Sequence, residues 1–442
     1  MTGGIDLFSP SSYADGHPVG QYARLRDNDP VHWHEEPDGP GFWAVTRHED
    51  VKALSRDTAL FSSRPTIMID DGSVMDLGDH TMMLTMDPPR HTQYRKLVAP
   101  RFLRRAVGRL RPKIERLAAQ IVDDVADRDE FDLVEDVAGL LPSYVIAEML
   151  GIPRQDGVGL YRLTETIHAD PASQPEGAAQ SAVLEMFGYA SGVWNSKRAC
   201  PGDDLASALV TAEVDGNRLD ETDFNLFFLL LIDAGGDTTR NLVAGGMDAL
   251  FEYPGERERL TADLGLLPTA IEEMLRWTSP VIYMRRTATA DTELGGRQIK
   301  AGQKVVLYYG AANRDPRAFD EPERFDVART PNDHVAFGGG GQHFCLGAQV
   351  ARTEIEAMFR QLLTRLPDLR KVGRTEWLPS TFISGPKHIR VRRRPALPPK
   401  EAACDGPDAA VLGDRLPGRW PGSDDHPEPP GPAQRVHPGD AG

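Results

Sequence analysis

Apolar residues recur at helical spacing through the middle of the chain. Residues 110–215 carry this pattern, with breaks at 128–130, 151–157, 168–178 and 199–204. Within it, 170–177 (Asp-Pro-Ala-Ser-Gln-Pro-Glu-Gly) reads as a surface loop between two helices. Residues 221–252 predict one long helix, roughly 50 Å at 1.5 Å per residue. Asp220 fits its N-cap, and Glu221 and Asp223 suit the positive end of its dipole. Toward the N-terminus, 17–28 and 47–55 predict short helices. Between them Val31-His32-Trp33-His34 and Phe42-Trp43-Ala44-Val45 flank a Gly/Pro/Asp-rich turn, as in a hairpin. An irregular stretch, 58–87, precedes a helix that begins at the prolines Pro88 and Pro89. Beyond the long helix come a helix over 267–277, strands over 281–307, loops over 311–336, a helix over 347–366, and strands to about 393. The pattern predicts a mainly α chain with a small β region.

From about residue 396 Pro and Gly crowd together and periodicity is lost, so 396–442 is expected to be a disordered tail. Residues 1–14 are expected to be a flexible N-terminus, leaving 15–395 as one folded domain. The chain has 442 residues, 40% of them hydrophobic, enough for a large core. Its net charge of −16 argues against a nucleic-acid surface. The cysteines are Cys200, Cys345 and Cys404, an odd and dispersed set that suits neither a disulfide framework nor a Cys-rich zinc site. No basic-then-apolar leader and no run of 18 apolar residues is visible, so a soluble, cytoplasmic protein without membrane insertion is expected.

Two stretches break local rules. The long helix is apolar on most faces, yet its centre holds Asp233, Gly235, Gly236 and Asp237. Glycine costs about 1 kcal/mol inside a helix, and a buried carboxylate is costly unless paired. The second stretch is Phe337-Gly338-Gly339-Gly340-Gly341-Gln342-His343-Phe344-Cys345-Leu346-Gly347. Four consecutive glycines suit a loop that needs positive φ or close backbone approach. Cys345 then opens a helix, where free N–H groups and the dipole favour a thiolate.

The second stretch resembles the heme-binding loop of the cytochrome P-450 family, F-x-x-G-x-[HR]-x-C-x-G. It departs in one respect: Phe337 lies eight residues before Cys345, where the common pattern has seven. Bacterial oxidases of sterol side chains and branched lipids look similar in this longer loop. Asp87-Pro88-Pro89-Arg90-His91-Thr92-Gln93-Tyr94-Arg95 resembles the family segment whose His and Arg hold a heme propionate. Ala234 to Thr239 resembles the oxygen-binding motif of the long helix, and Glu273 with Arg276 resembles the structural E-x-x-R. The resemblance spans about 15–393 and implies the family's helical prism, with heme between the long helix and the Cys loop.

What the resemblance implies residue by residue is concrete. Cys345 would ligate the iron of heme b, with Phe337, Gly338, His343 and Gly347 shaping the loop. His91, Arg95, Arg286 and His343 would meet the propionates. Ala234 and Gly235 would border the oxygen site, where Gly235 leaves room and the helix can bulge, while Asp237 and Thr238 handle protons. Met82, Met83, Val281, Ile282, Phe382 and Ile383 would contact substrate. Arg324 would complete the Glu273–Arg276 network. Asp233 departs from the apolar residue usual there; it would bind a polar substrate group, join the proton route, or pair with a nearby Arg.

The implied activity is O2-dependent insertion of one oxygen atom into an unactivated C–H bond. No flavin or iron–sulfur domain is fused, so electrons from NAD(P)H would arrive through ferredoxin and ferredoxin reductase, with the enzyme a monomer. The basic block Lys96, Arg101, Arg104, Arg105, Arg109 and Arg111 could steer an acidic partner. A steroid, terpenoid or branched lipid is the expected substrate; a polyketide or other secondary metabolite is the alternative. A peroxide-driven enzyme would usually lack the Asp237–Thr238 pair, and a heme-binding sensor would need no proton relay.

Overall fold

The structure is a computed structural model that describes residues 4–71, 77–169 and 173–393. The tail from 396, with Cys404, lies outside the described residues, as do Met75 and part of the 170–177 loop. In chain order the elements are α1 (Val19–Asn28), β1 (Val31–His34), β2 (Phe42–Val45), α2 (His48–Arg56), β3 (Phe61–Ser62), α3 (Arg90–Val98), α4 (Arg104–Ala126) and β4 (Glu130–Asp132). Then come α5 (Leu140–Leu150), α6 (Arg154–His168), α7 (Ala178–Ala199), α8 (Leu205–Val210), β5 (Glu213–Val214), β6 (Asn217–Arg218), α9 (Glu221–Glu252), α10 (Pro254–Ala262) and α11 (Leu267–Thr278). The last are β7 (Tyr283–Ala288), β8 (Thr292–Leu294), β9 (Arg297–Ile299), β10 (Lys304–Tyr308), α12 (Tyr309–Ala312), α13 (Ala348–Arg365), β11 (Arg370–Lys371), β12 (Glu376–Trp377), β13 (Pro386–His388) and β14 (Arg390–Arg392). No helix among them is long and apolar enough to cross a membrane.

The long helix α9 occupies its predicted span, and the Asp220 carboxylate caps it by accepting the Asp223 N–H at 2.9 Å. Every residue from Phe224 to Ile232 is buried. That requires neighbours on all sides, and α5, α6, α7, α11 and α13 supply them. The helix is unbroken through Gly235, so the bulge allowed there is not formed.

The main sheet runs β1-β2-β10-β7-β3, with β10 parallel to β2 and the other neighbours antiparallel. Alternation along β7 sorts its side chains: Met284 and Arg286 face a central cleft. Arg285 faces the other way, donating to the Met68 carbonyl at 3.1 Å and to the Asp71 carboxylate. The buried Lys304 of β10 adds bonds to Glu36 and the Ile69 carbonyl at 2.8 Å each. Together they pin the chain after β3 against the sheet.

Residues 4–14 are not a flexible leader. Leu7 and Tyr13 are fully buried beside Tyr22, Phe42 and Tyr308, and the Leu7 N–H donates to His34 Nε2 at 3.0 Å. Two apolar side chains fill the outer side of the sheet and so order the segment.

The E-x-x-R expectation needs one correction. Arg276 donates to both oxygens of Glu273 at 2.8 Å, and neither residue is exposed. The third member is Arg329, not Arg324: its Nε donates to the same carboxylate at 3.1 and 3.2 Å. A turn closed by the Arg329 N–H on the Asp326 carbonyl swings Arg329 back over Glu273. Arg324 contributes only its carbonyl to Arg276, and its side chain turns outward to Glu321. Arg329→Ala is therefore expected to cost about 3 kcal/mol or more, since it strips a partner from a buried carboxylate. Arg324→Ala should leave the melting curve unchanged. Thermal denaturation of both variants checks the assignment.

Candidate active site

Positive φ angles at Gly338 (93°), Gly340 (95°) and Gly341 (79°) coil the Cys loop back on itself. At Gly339 the reason is space: a Cβ there would stand 2.8 Å from the Lys52 Cα of α2. The Cys345 N–H closes the loop on the Phe337 carbonyl at 2.9 Å. Phe337 is held in turn by Arg352 of α13, whose guanidinium lies 4.5 Å above its ring. Arg352 forks onto Glu272 at 2.6 and 2.7 Å, and His334 reaches the same carboxylate at 3.0 Å. Burial alone would raise the Glu272 pKa, but these two partners hold it down at about 2. Adjacent glutamates of α11 thus serve two scaffolds: Glu273 braces the loops before the Cys loop, Glu272 the Cys loop itself.

Cys345 lies on the floor of a cleft between this loop and α9. Its surface is accessible, yet the residue lies deep in the protein, because what it faces is the cleft. Burial pushes the thiol up, while hydrogen bonds from the Gly347 and Ala348 backbone and the charges of Arg95 and Arg352 pull it back. The net effect is a thiol raised from its ordinary value, opposite to the expected direction.

His91, Arg95, Arg286 and His343 all line this cleft. The two imidazoles stack at 4.0 Å between ring centroids. Ser63 Oγ lies 3.2 Å from His343 Nε2, and the Ser63 N–H is fixed on Asp87 at 2.8 Å. Burial, with Arg95 and Arg286 adding, pulls His91 down to about 4; burial, Arg286, His91 and Arg95 pull His343 down to about 3. Among the described residues none of the four forms a carboxylate ion pair: Arg95 donates to the Phe344 carbonyl at 2.6 Å and Arg286 to the Arg285 carbonyl at 2.8 Å. The buried His91 Nδ1 and Arg286 Nε have no partner. A cluster of basic donors with no carboxylate partner among the described residues calls for an anion, and two propionates meet that demand. A thiol below them and about 1500 Å³ of space, partly open to solvent, complete the fit to heme.

Ala234, Gly235 and Thr238 of α9 form the opposite wall. The Thr238 hydroxyl donates to the Ala234 carbonyl at 3.1 Å. Asp237, one position earlier, turns away into a second cavity, which it lines with Arg240, Glu165 and His168. Burial pushes its carboxyl up to about 6, with Asp233 adding and His168, Tyr161 and Arg240 opposing. Gly236 is obligatory here, since a Cβ would stand 2.8 Å from the Tyr161 ring. Asp233 is paired, but with His168 rather than an Arg, at 2.6 Å.

The expected substrate contacts divide. Met83 and Val281 line the cleft. Met82 packs against the main core instead, and Ile282, just before β7, is fully buried in the apolar cluster with Tyr283 and Val306. Phe382 packs against Tyr283, ring centroids 5.5 Å apart, and Ile383 lines the second cavity, not the cleft. Three residues went unnoticed in the sequence. Glu354 of α13 is buried at the cleft wall and raised by burial to about 8, with Thr239 as its hydrogen-bond partner. Its place on the buried face of the helix that begins three residues after Cys345 was a readable signal. Tyr161 and His168 gave none, because their partners lie on α9.

Residues 255–367 match the family model described as Cytochrome P450. A steroid C26-monooxygenase of Rhodococcus jostii is 37% identical, over 88% of this chain and 84% of that one. A methyl-branched lipid omega-hydroxylase of Mycobacterium tuberculosis is 40% identical, over 88% and 94%. Among solved structures, a Mycobacterium marinum cytochrome P450 in complex with pseudoionone is 39% identical with a TM-score of 0.83, covering 88% of this chain and 98% of that one. Fold, cleft and relatives agree, and the chain belongs to the cytochrome P450 family of monooxygenases.

Proposed function

We propose that this enzyme hydroxylates an aliphatic C–H bond of a steroid or methyl-branched lipid, with electrons passed from NAD(P)H through a ferredoxin reductase and a ferredoxin. The observation that carries the reading is the cleft itself: one deep cysteine sulfur with two arginines and two histidines that have no carboxylate partner among the described residues, facing the apolar wall of α9. Two relatives, named for a steroid and for a methyl-branched lipid, support that substrate class.

When bound, heme supplies the oxygen activation and the C–H oxidation. The chain's own residues supply everything around it. Cys345 gives the sulfur that would hold the iron, and His91, Arg95, Arg286 and His343 hold the propionates. Leu230, Leu231, Val145 and Met83 line the cleft with apolar surface, which orients a greasy substrate and keeps water out. Thr238 presents a hydroxyl to the cleft, and Asp237 behind it exchanges protons with the second cavity.

Electron delivery has a candidate surface. Phe344, adjacent to Cys345, is 39% exposed and Leu103 62%, and Lys96, Arg104, Arg105 and Arg109 are exposed on neighbouring positions. Cations around an apolar tip suit an acidic redox protein. Arg104→Glu with Arg105→Glu should raise the KM for ferredoxin about tenfold, most strongly at low salt, with substrate binding unchanged. An unchanged KM would remove this face.

The first test is the spectrum of the dithionite-reduced protein with carbon monoxide. A strongly red-shifted Soret band is expected from the wild type and none from Cys345→Ser. Arg286→Leu should lose at least about tenfold in heme retention, through loss of a charge-assisted bond. A Soret band typical of histidine ligation would refute the thiolate assignment. Sterols and methyl-branched acids are then screened by the spin-state shift they induce.

A further inference from the structure

Helices α6 and α9 meet through polar groups at matched spacing. On α6 these are Tyr161, Glu165 and His168; on α9, Asp233, Asp237 and Arg240. Steps of four and three residues keep each trio on one face. The trios run in opposite senses. His168 Nε2 meets Asp233 at 2.6 Å, while Glu165, earlier on α6, meets Arg240, later on α9, at 3.2 Å. Asp237 falls between these contacts: one ligand atom each of His168, Asp233 and Asp237 lie within 4.8 Å of one another. The second cavity borders this seam and is also lined by the exposed Arg162 and Lys387.

We propose that His168 is a positioning residue for Asp237, acting by its charge: it pairs with Asp233 and keeps a cation beside the Asp237 carboxyl, so that this buried group can ionise and exchange protons with the second cavity. The proposal rests on the proton-handling role given above to Asp237. The step is a proton transfer alone. Solvent protonates the carboxylate, which passes the proton toward Thr238 and returns to its anion.

The charged neighbours among the described residues fix the sign. From α9 Asp237 faces Asp233 and Arg240; from α6, Tyr161, Arg162, Glu165 and His168; across the second cavity, Lys387. Arg240 is shared with Glu165 and with Glu135, at 2.9 Å, so its charge is largely committed elsewhere. Tyr161 is neutral and its hydroxyl donates to Glu165 at 3.2 Å. Without the imidazolium, the Asp233 anion, with a carboxylate oxygen within 4.8 Å, would add to burial in keeping Asp237 protonated. Asp233 in turn offsets the burial of His168 and holds it up at about 9.

The test separates charge from hydrogen bonding. In heme-loaded protein, the protonated-carboxyl band of Asp237 is followed by infrared titration and assigned by its loss in Asp237→Asn. His168→Gln keeps a donor for Asp233 but removes the charge, and should raise the Asp237 midpoint by about one pH unit or more. His168→Lys keeps the charge and should stay near the wild type. A wild-type midpoint in the Gln variant, or equal shifts in both, overturns the proposal. A measurement without variants stands beside it: in the ferrous carbon monoxide complex, NMR titration should show the His168 ring charged throughout the range where Asp237 titrates. A neutral ring there also overturns it. If the heme-thiolate spectrum is present and these titrations fail, only this inference falls; if Asp237→Asn leaves NAD(P)H-driven turnover unchanged, the role of Asp237 itself fails.

Discussion

Burial of the Cys345 sulfur is the constraint on which the site is built. Depth in the protein raises the proton affinity of a thiol. The fold answers with backbone donors at the start of α13 and with two arginines whose charge reaches the sulfur, Arg95 and Arg352. Neither arginine is free to wander. Arg352 is forked onto Glu272 and capped by the Phe337 ring, and Arg95 is tied to the Phe344 carbonyl. The glycines follow from the same demand, because the loop must coil tightly and also lie against α2.

A second consequence is the surplus of positive charge above the sulfur. His91 and His343 are held neutral by burial and by the two arginines beside them. Propionates arriving beside them would let both imidazoles gain protons and would satisfy the unpartnered His91 Nδ1 and Arg286 Nε. The cluster therefore binds an anionic cofactor and has little to offer a neutral one.

What was legible in the sequence divides by distance along the chain. Cys345 with its glycines, His91 with Arg95, and Glu273 with Arg276 are local patterns, each read within ten residues, and all lie in the scaffold or line the cleft. The span of α9 was legible for the same reason: its cap and its periodicity are local. Arg329 was missed because a turn, not a spacing, brings it to Glu273, and the nearer Arg324 looked sufficient. Ile282, Phe382 and Ile383 were assigned to the substrate by analogy, but Ile282 is taken up by the apolar cluster on the sheet and the turn at 381–386 sends the other two elsewhere. His168 could not have been paired with Asp233 from sequence, since 65 residues separate them.

The seam between α6 and α9 shows why a polar contact can be kept where an apolar one would pack more simply. An apolar pair in place of His168 and Asp233 would leave only Arg240, already shared with Glu135 and Glu165, to oppose the effect of burial on Asp237. Placing His168, Tyr161 and Arg240 around it supplies opposing influences, and the carboxyl settles at about 6. The same pairs fasten α6 to α9 beside the oxygen-site wall formed by Ala234, Gly235 and Thr238. A carboxyl tuned in this way depends on the position of α6, because His168 is that helix's last residue and its charge acts only at short range. Displacement of the helix end would therefore change the ionisation of Asp237 before it changed the stretch of cleft wall formed by Ala234, Gly235 and Thr238, which belong to α9.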